Sequence, residues 1–161
     1  MNGHLASGIL STIVMILNMA YIVGVYVFTA FSLYRIAVNN NVKNPWIAFI
    51  PIFQYYIIGD ICEEYVILGY NIRHLKWVMV GFNAIQYLSG LVAVLQLLVN
   101  LLLALILHKF YYMLDQKNAL IYAVISILGR LPMAVILFML KDRRVTMSAG
   151  AYPYPFADKN F

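Results

Sequence analysis

Three carboxylates, Asp60, Glu63 and Glu64, follow directly on a 14-residue apolar run from Trp46 to Gly59. In a helix their i, i+3, i+4 spacing puts them on one face. Carboxylate oxygens at a membrane surface suit hard-cation binding or proton relay. The competing reading is a solvated polar face that anchors the end of an apolar hairpin. No further ligand stands at motif spacing, so no metal site is assigned.

Arg130 is the second candidate. It lies near the middle of a 22-residue apolar segment, Ala119 to Leu140, with Pro132 two residues on. A charge at mid-bilayer costs about 2.5–3.5 kcal/mol, so such an arginine should face protein or a water-filled cavity and have a partner. A backbone carbonyl freed by Pro132 is one candidate partner, and a carboxylate from Asp60, Glu63 or Glu64 is another. Alternatively Arg130 snorkels, or residues 119–140 form a broken helix that leaves the arginine near a surface.

Asn83, Gln86 and Asn100 stand in an uncharged stretch and suit hydrogen bonding between helices. His4, His74 and His108 fall singly at segment ends and read as interface residues. Cys62 lies beside Glu63 and near Asp60, whose negative charge should raise its thiol pKa and blunt it as a nucleophile. No GxSxG, HExxH, P-loop or Gly-rich cofactor motif is present. The expectation is therefore no catalytic residue, no cofactor and no enzyme.

The elements that must position these residues belong to a membrane protein. Of 161 residues, 64% are hydrophobic and only 11% charged, against roughly 25% charged in a soluble domain. A chain this short cannot hide so much apolar surface from water. The net charge of +5 comes from basic residues at the ends of apolar runs. That is a topology signal, and nucleic-acid binding is not expected.

Residues 9–34 are uncharged and stop at Arg35, reaching roughly 39 Å as a helix, enough to cross a core of about 30 Å. This is the first span, a retained helix and not a signal peptide. Asn44-Pro45 then reads as an N-cap followed by proline at the first helical position. The run from Trp46 to Gly59 reaches only roughly 21 Å, and Pro51 breaks or kinks it. Residues 77–107 contain no charge over 31 positions and are expected to form one long tilted helix, kinked near Ser89-Gly90. Ala119–Leu140 is the third span. The tail, 145–161, reads as extended or disordered.

With three spans, Lys and Arg divide eight to two between the sides, the loop at 108–118 lying with the N-terminus. The basic side is cytoplasmic, which puts the N-terminus outside and the C-terminus inside. Making residues 46–59 a fourth crossing would reduce the split to six to four. They are expected instead to enter and return, or to lie in the cytoplasmic interface.

The stretch "KNPWIAFIPIFQYYIIGDI", with "KFYYMLDQKNALIYAVISIL" and "PMAVILFMLKDR" later, resembles a loose group of small multi-pass bacterial membrane proteins of Gram-positive type. The resemblance covers roughly a third of the chain. It implies a bacterial cytoplasmic membrane and a fold of few helices, and adds no catalytic residue.

The expected fold is thus all-α: three transmembrane helices plus a short re-entrant or interfacial helix at residues 45–59, marked by Asn44, Pro45, Trp46 and Pro51. Residues 1–144 form one membrane domain, followed by a cytoplasmic tail. The expected partners are the lipid bilayer and other membrane subunits or a second copy of the chain. The expected role is an accessory or scaffold subunit, or a homo-oligomer. A small ion or proton transporter using residues 46–64 and Arg130 is the alternative.

Overall fold

The computed structural model describes residues 2–67, 70–87, 93–147 and 151–153, with side chains described for 7–66, 70–85, 97–147 and 151–153. Helix dominates, as the all-α reading expects, with one small β hairpin added. Helix α1, Asn2–Asn39, is one continuous rod of 38 residues, about 57 Å long. No proline interrupts it and no Asp, Glu, Lys or Arg precedes Arg35. Every side chain from Ser7 to Gly24 is exposed, and packing begins at Val25. There Ala30, Ser32 and Ala37 are fully buried, and their small side chains let neighbouring elements approach closely.

Asn41, in the left-handed region at φ 57°, turns the chain back along α1. Pro45–Phe49 and Pro51–Phe53 are short 3-10 helices, and α2, Gln54–Cys62, follows. Tyr34 packs on Phe49 at 5.4 Å between ring centroids, and the Tyr26 hydroxyl donates to the Phe49 carbonyl. The chain therefore goes in beside α1, reverses near Pro51 and comes back as α2. A helix does start at Pro45, but it is 3-10 and the Asn44 side chain does not cap it. The Asn44 carbonyl instead accepts from Ile47 N at 3.2 Å.

Glu63, at φ 57° and ψ −64°, stops α2. Strands β1 (Tyr65–Ile67) and β2 (Tyr70–Ile72) pair antiparallel, Tyr65 opposite Ile72. Helix α3, Leu75–Tyr87, runs antiparallel to α2: Lys76 meets Asp60 and Asn83 meets Pro51. Gly59 makes this closeness possible, because a Cβ there would stand 2.4 Å from Lys76 Cα.

Helix α4, Ala93–Leu114, returns alongside α2, with Lys109 at the Glu64 carbonyl and Leu103 beside Tyr55. Residues 77–107 are thus two oppositely directed helices and not one long one. An uncharged run states how much chain can be buried, not how often it reverses. The expected kink at Ser89-Gly90 lies outside the described residues.

Ala119–Leu140 is likewise divided, into α5 (Ala119–Ile127) and α6 (Arg130–Leu140). Gly129 between them has φ 156° and ψ 174°, a region open essentially to glycine alone. The two short helices form a second hairpin. α5 leaves the Asp115 turn beside α4, and α6 runs parallel to α1, pairing Phe138 with Phe28 and Asp142 with Arg35. Pro132 falls in the first turn of α6, where its missing donor has no intrahelical partner to lose.

The three expected spans are therefore found only in part. Among the described residues two helices, Ser7–Asn39 and Leu97–Leu114, are long and apolar enough to cross a membrane. The connection at 115–118 also lies at the other end from that expected: Thr146 N donates to the Met113 carbonyl at 3.0 Å, and Val145 N to Asn40 Oδ1 at 2.7 Å. The C-terminal ends of α1, α2, α4 and α6 and the β hairpin all gather at one end of the molecule. Every described Lys and Arg except Arg130 lies at that end, called here the basic end. The core between the helices is built from Ile57, Ile58, Met79, Ile106, Phe110 and Leu137.

Candidate functional site

At the end of the body remote from the basic end, the Pro51 reversal and the α5–α6 break meet α1 near Tyr26. Between them lies a cavity of about 320 Å³, lined by Ile22, Val25, Thr29, Pro51, Gln54, Tyr55, Asn83, Arg130 and Met133, among others. A smaller one of about 130 Å³ adjoins it on the α4 side, reaching Asn100 and Ser126. Arg130, Tyr55 and Met133 line both.

The walls follow from the local breaks. Pro51 cannot donate, and the turn around it leaves the Pro51 and Ile52 carbonyls facing α3. Asn83 Nδ2 satisfies both, at 2.8 and 2.9 Å. Asn83 thus makes the inter-helix hydrogen bonds expected of it. Gln54 Nε2 reaches the Tyr26 carbonyl at 3.5 Å, and the Tyr55 hydroxyl contacts Met133 Sδ at 3.7 Å. Arg130 is the first residue of α6, so its charge adds to the positive end of the helix dipole. This corner of a largely apolar cavity is electropositive.

Asp60, Glu63 and Glu64 do not come to Arg130, nor do they share one face. α2 ends at Cys62, before the last two, and all three lie toward the basic end. Asp60 pairs with Lys76 at 3.0 Å and Glu64 accepts from Asn71 at 2.7 Å. Glu63 lines a shallow groove with Asp60 and Asn40. Asn100 is an exposed residue beside Arg130 at the smaller cavity. The Gln86 side chain lies outside the described residues. Trp46 is exposed, at the outer face of the Pro45 turn.

Cys62 is wholly buried, and its thiol is pushed up to about 12. Burial is the main cause, opposed by Lys109, so the upward direction expected of this thiol holds while the carboxylates are not what produces it. Lys109 was not visible as a site residue in the sequence. It is 0% exposed, its Nζ donates to the Glu64 carbonyl at 2.6 Å and stands 5.7 Å from the centre of the Tyr152 ring. Tyr152, only 3% exposed, also bonds His108 Nδ1 at 2.6 Å. The described part of the tail is therefore packed against α4 and is not loose. One signal was readable: Lys109 sits only two residues beyond the uncharged run that ends at Leu107.

Asn18 is a second residue that spacing could have marked. With Ser7 and Ser11 it falls on one face of the bare half of α1, and it is exposed. Among the described residues no group of three or more His, Cys, Asp or Glu could hold a metal ion.

No protein-family model, no curated protein and no solved structure matches this chain.

Proposed function

We propose that this chain is a small, non-enzymatic integral membrane protein that acts by packing α1 against another transmembrane helix, in a second copy of itself or in a subunit of a membrane complex. One observation carries the reading. The half of α1 from Ser7 to Gly24 is exposed along its whole length, and it presents Ser7, Ser11 and Asn18 on one face. In lipid, small and polar residues of this kind associate helices through close packing and interhelical hydrogen bonds.

The gathering of Lys and Arg at the basic end orients the protein with that end in the cytoplasm and the α1 N-terminus outside. α1 and α4 cross in the same direction, toward the basic end, and α3 carries the chain back between them. The Pro45–Cys62 and Ala119–Leu140 segments are re-entrant hairpins, their irregular turns bordering the cavities at Arg130. By its resemblance to small Gram-positive-type proteins, the membrane is the bacterial cytoplasmic one. An ion or proton path through Arg130 and the acidic residues gains no support, because those groups occupy different ends of the body.

Cysteine crosslinking in membranes tests the association, since the native Cys62 is buried. Ser11→Cys should give a crosslinked species, with itself or with a fixed partner. Ile13→Cys, on the opposite face, should not. Asn18→Leu added to Ser11→Cys should weaken the crosslink, and equal crosslinking from both faces would refute a specific interface.

A further inference from the structure

We propose that the cavity at Arg130 binds a single-chain amphiphile with a carboxylate head, a fatty-acid-type anion that enters sideways from the bilayer. The inference rests on the membrane placement above and not on the association through α1.

Size selects the class of ligand. About 320 Å³ is at the small end of ligand pockets, roughly ten times the liquid volume per water molecule of about 30 Å³. A chain of about that many carbons fits, and a two-chain phospholipid does not. The lining is suited to a chain, with Ile22, Val25, Pro51 and Met133 among its walls.

Access and charge select the head. Tyr21, Ile22 and Val23 line the cavity from α1 and are each more than half exposed (52%, 54% and 57%), so the opening faces the surface that lipid covers. Arg130 sits level with this stretch, and α1 needs about 18–21 Å of rise to pass from it to Arg35 at the basic end. That places the guanidinium inside the hydrocarbon layer, where a charge is costly. The described acidic side chains all lie toward the basic end, and none lines the cavity. A guanidinium has five donors in a planar fork, so Arg130 can keep the contacts it makes and still take a carboxylate through two parallel hydrogen bonds. The N-terminus of α6 adds a favourable dipole for the same anion.

The test uses the full chain in lipid nanodiscs with dodecanoate labelled with carbon-13 at the carboxyl. Bound acid should give a second carboxyl resonance that titrates at lower pH than acid dissolved in the bilayer, because the cation favours the ionised form. Arg130→Gln should weaken binding by about tenfold, the scale of one lost charge-assisted hydrogen bond. Val25→Phe should disfavour dodecanoate against octanoate by filling the chain site, and it carries the test should Arg130→Gln fail to fold. Dodecanol should not compete. Equal binding by Arg130→Gln, or equal competition by dodecanol, overturns the site. Flotation with liposomes separates the two readings: a protein that does not float overturns the membrane placement and the site together, and one that floats without a second resonance overturns the site alone.

Discussion

Lys109 and Arg130 are both cations within apolar helical sequence, and the fold treats them in opposite ways. Lys109 is fully enclosed, its ammonium given to the Glu64 carbonyl and the face of Tyr152. Arg130 is exposed and forms part of two cavity walls. A compact ammonium on a flexible stem suits a single carbonyl, whereas a planar guanidinium suits a ligand with two oxygens. The difference separates a cation enclosed between packed elements from one that lines an open cavity.

The largest expected effect comes from removing the platform beneath Lys109. Gly59→Ala puts a methyl 2.4 Å from Lys76 Cα, a backbone overlap that α2 and α3 can relieve only by separating. We expect a loss of about 3 kcal/mol, read as a lower unfolding midpoint in mild detergent, with Glu63 and Glu64 displaced from Lys109. An unchanged midpoint would show that the two helices are not held this closely.

Next, Lys109→Met keeps the apolar stem and leaves the Glu64 carbonyl without its donor, which should cost about 2 kcal/mol. Arg130→Met in the same assay should change stability by about 0.5 kcal/mol or less, as for other exposed positions. Equal losses would erase the contrast between the two residues.

Tyr152→Ala removes the ring over Lys109 and the partner of His108, and should cost about 1 kcal/mol. Its sharper readout is proteolysis of the tail, faster in the variant because the described tail residues lose their anchor on α4. Cleavage at the wild-type rate would show that the tail does not hold there.

The smallest effect belongs to the Arg35–Asp142 pair, at 2.8 Å and exposed on both sides. The Arg35 hydrogen bond holds the Asp142 carboxyl below the usual carboxylate range. For an acid whose folded pKa is depressed, the stabilisation is present above the unfolded value and fades as pH falls through the folded one. Wild type and Asp142→Asn should therefore differ slightly at neutral pH and converge in acid. Added salt should shrink the difference. A difference that grows in acid would contradict the pairing.

Much of the local structure was legible before the fold was known. The start at Pro45, the break at Pro51, the failure of residues 46–59 to continue as a crossing helix and the bonding role of Asn83 all follow from proline's missing donor and from segment length. Reversal of direction was less legible. An uncharged stretch such as 77–107 carries no mark of where it turns, because lipid tolerates apolar residues on both faces of both helices. The split of 119–140 had a readable trace in Gly129, Arg130 and Pro132, but choosing between a kinked span and a hairpin needed the partners of α6 along α1. Placing the 115–118 connection depended on the same choice, which is why it was assigned to the wrong end.

Composition and spacing by themselves determined that this chain is a helical protein rich in apolar surface, with basic residues confined to segment ends and no motif for metal or covalent chemistry. Those properties are sums over residues and need no knowledge of what touches what. Only the tertiary structure decided that Lys109 is enclosed, that Asp60, Glu63 and Glu64 stand away from Arg130, and that Arg130 opens onto a cavity. The position of a charge relative to its partners depends on which helices reverse and lie side by side. In a chain where nearly every segment is apolar, that choice is made by close packing at places such as Gly59 and by the backbone breaks at Pro51 and Gly129.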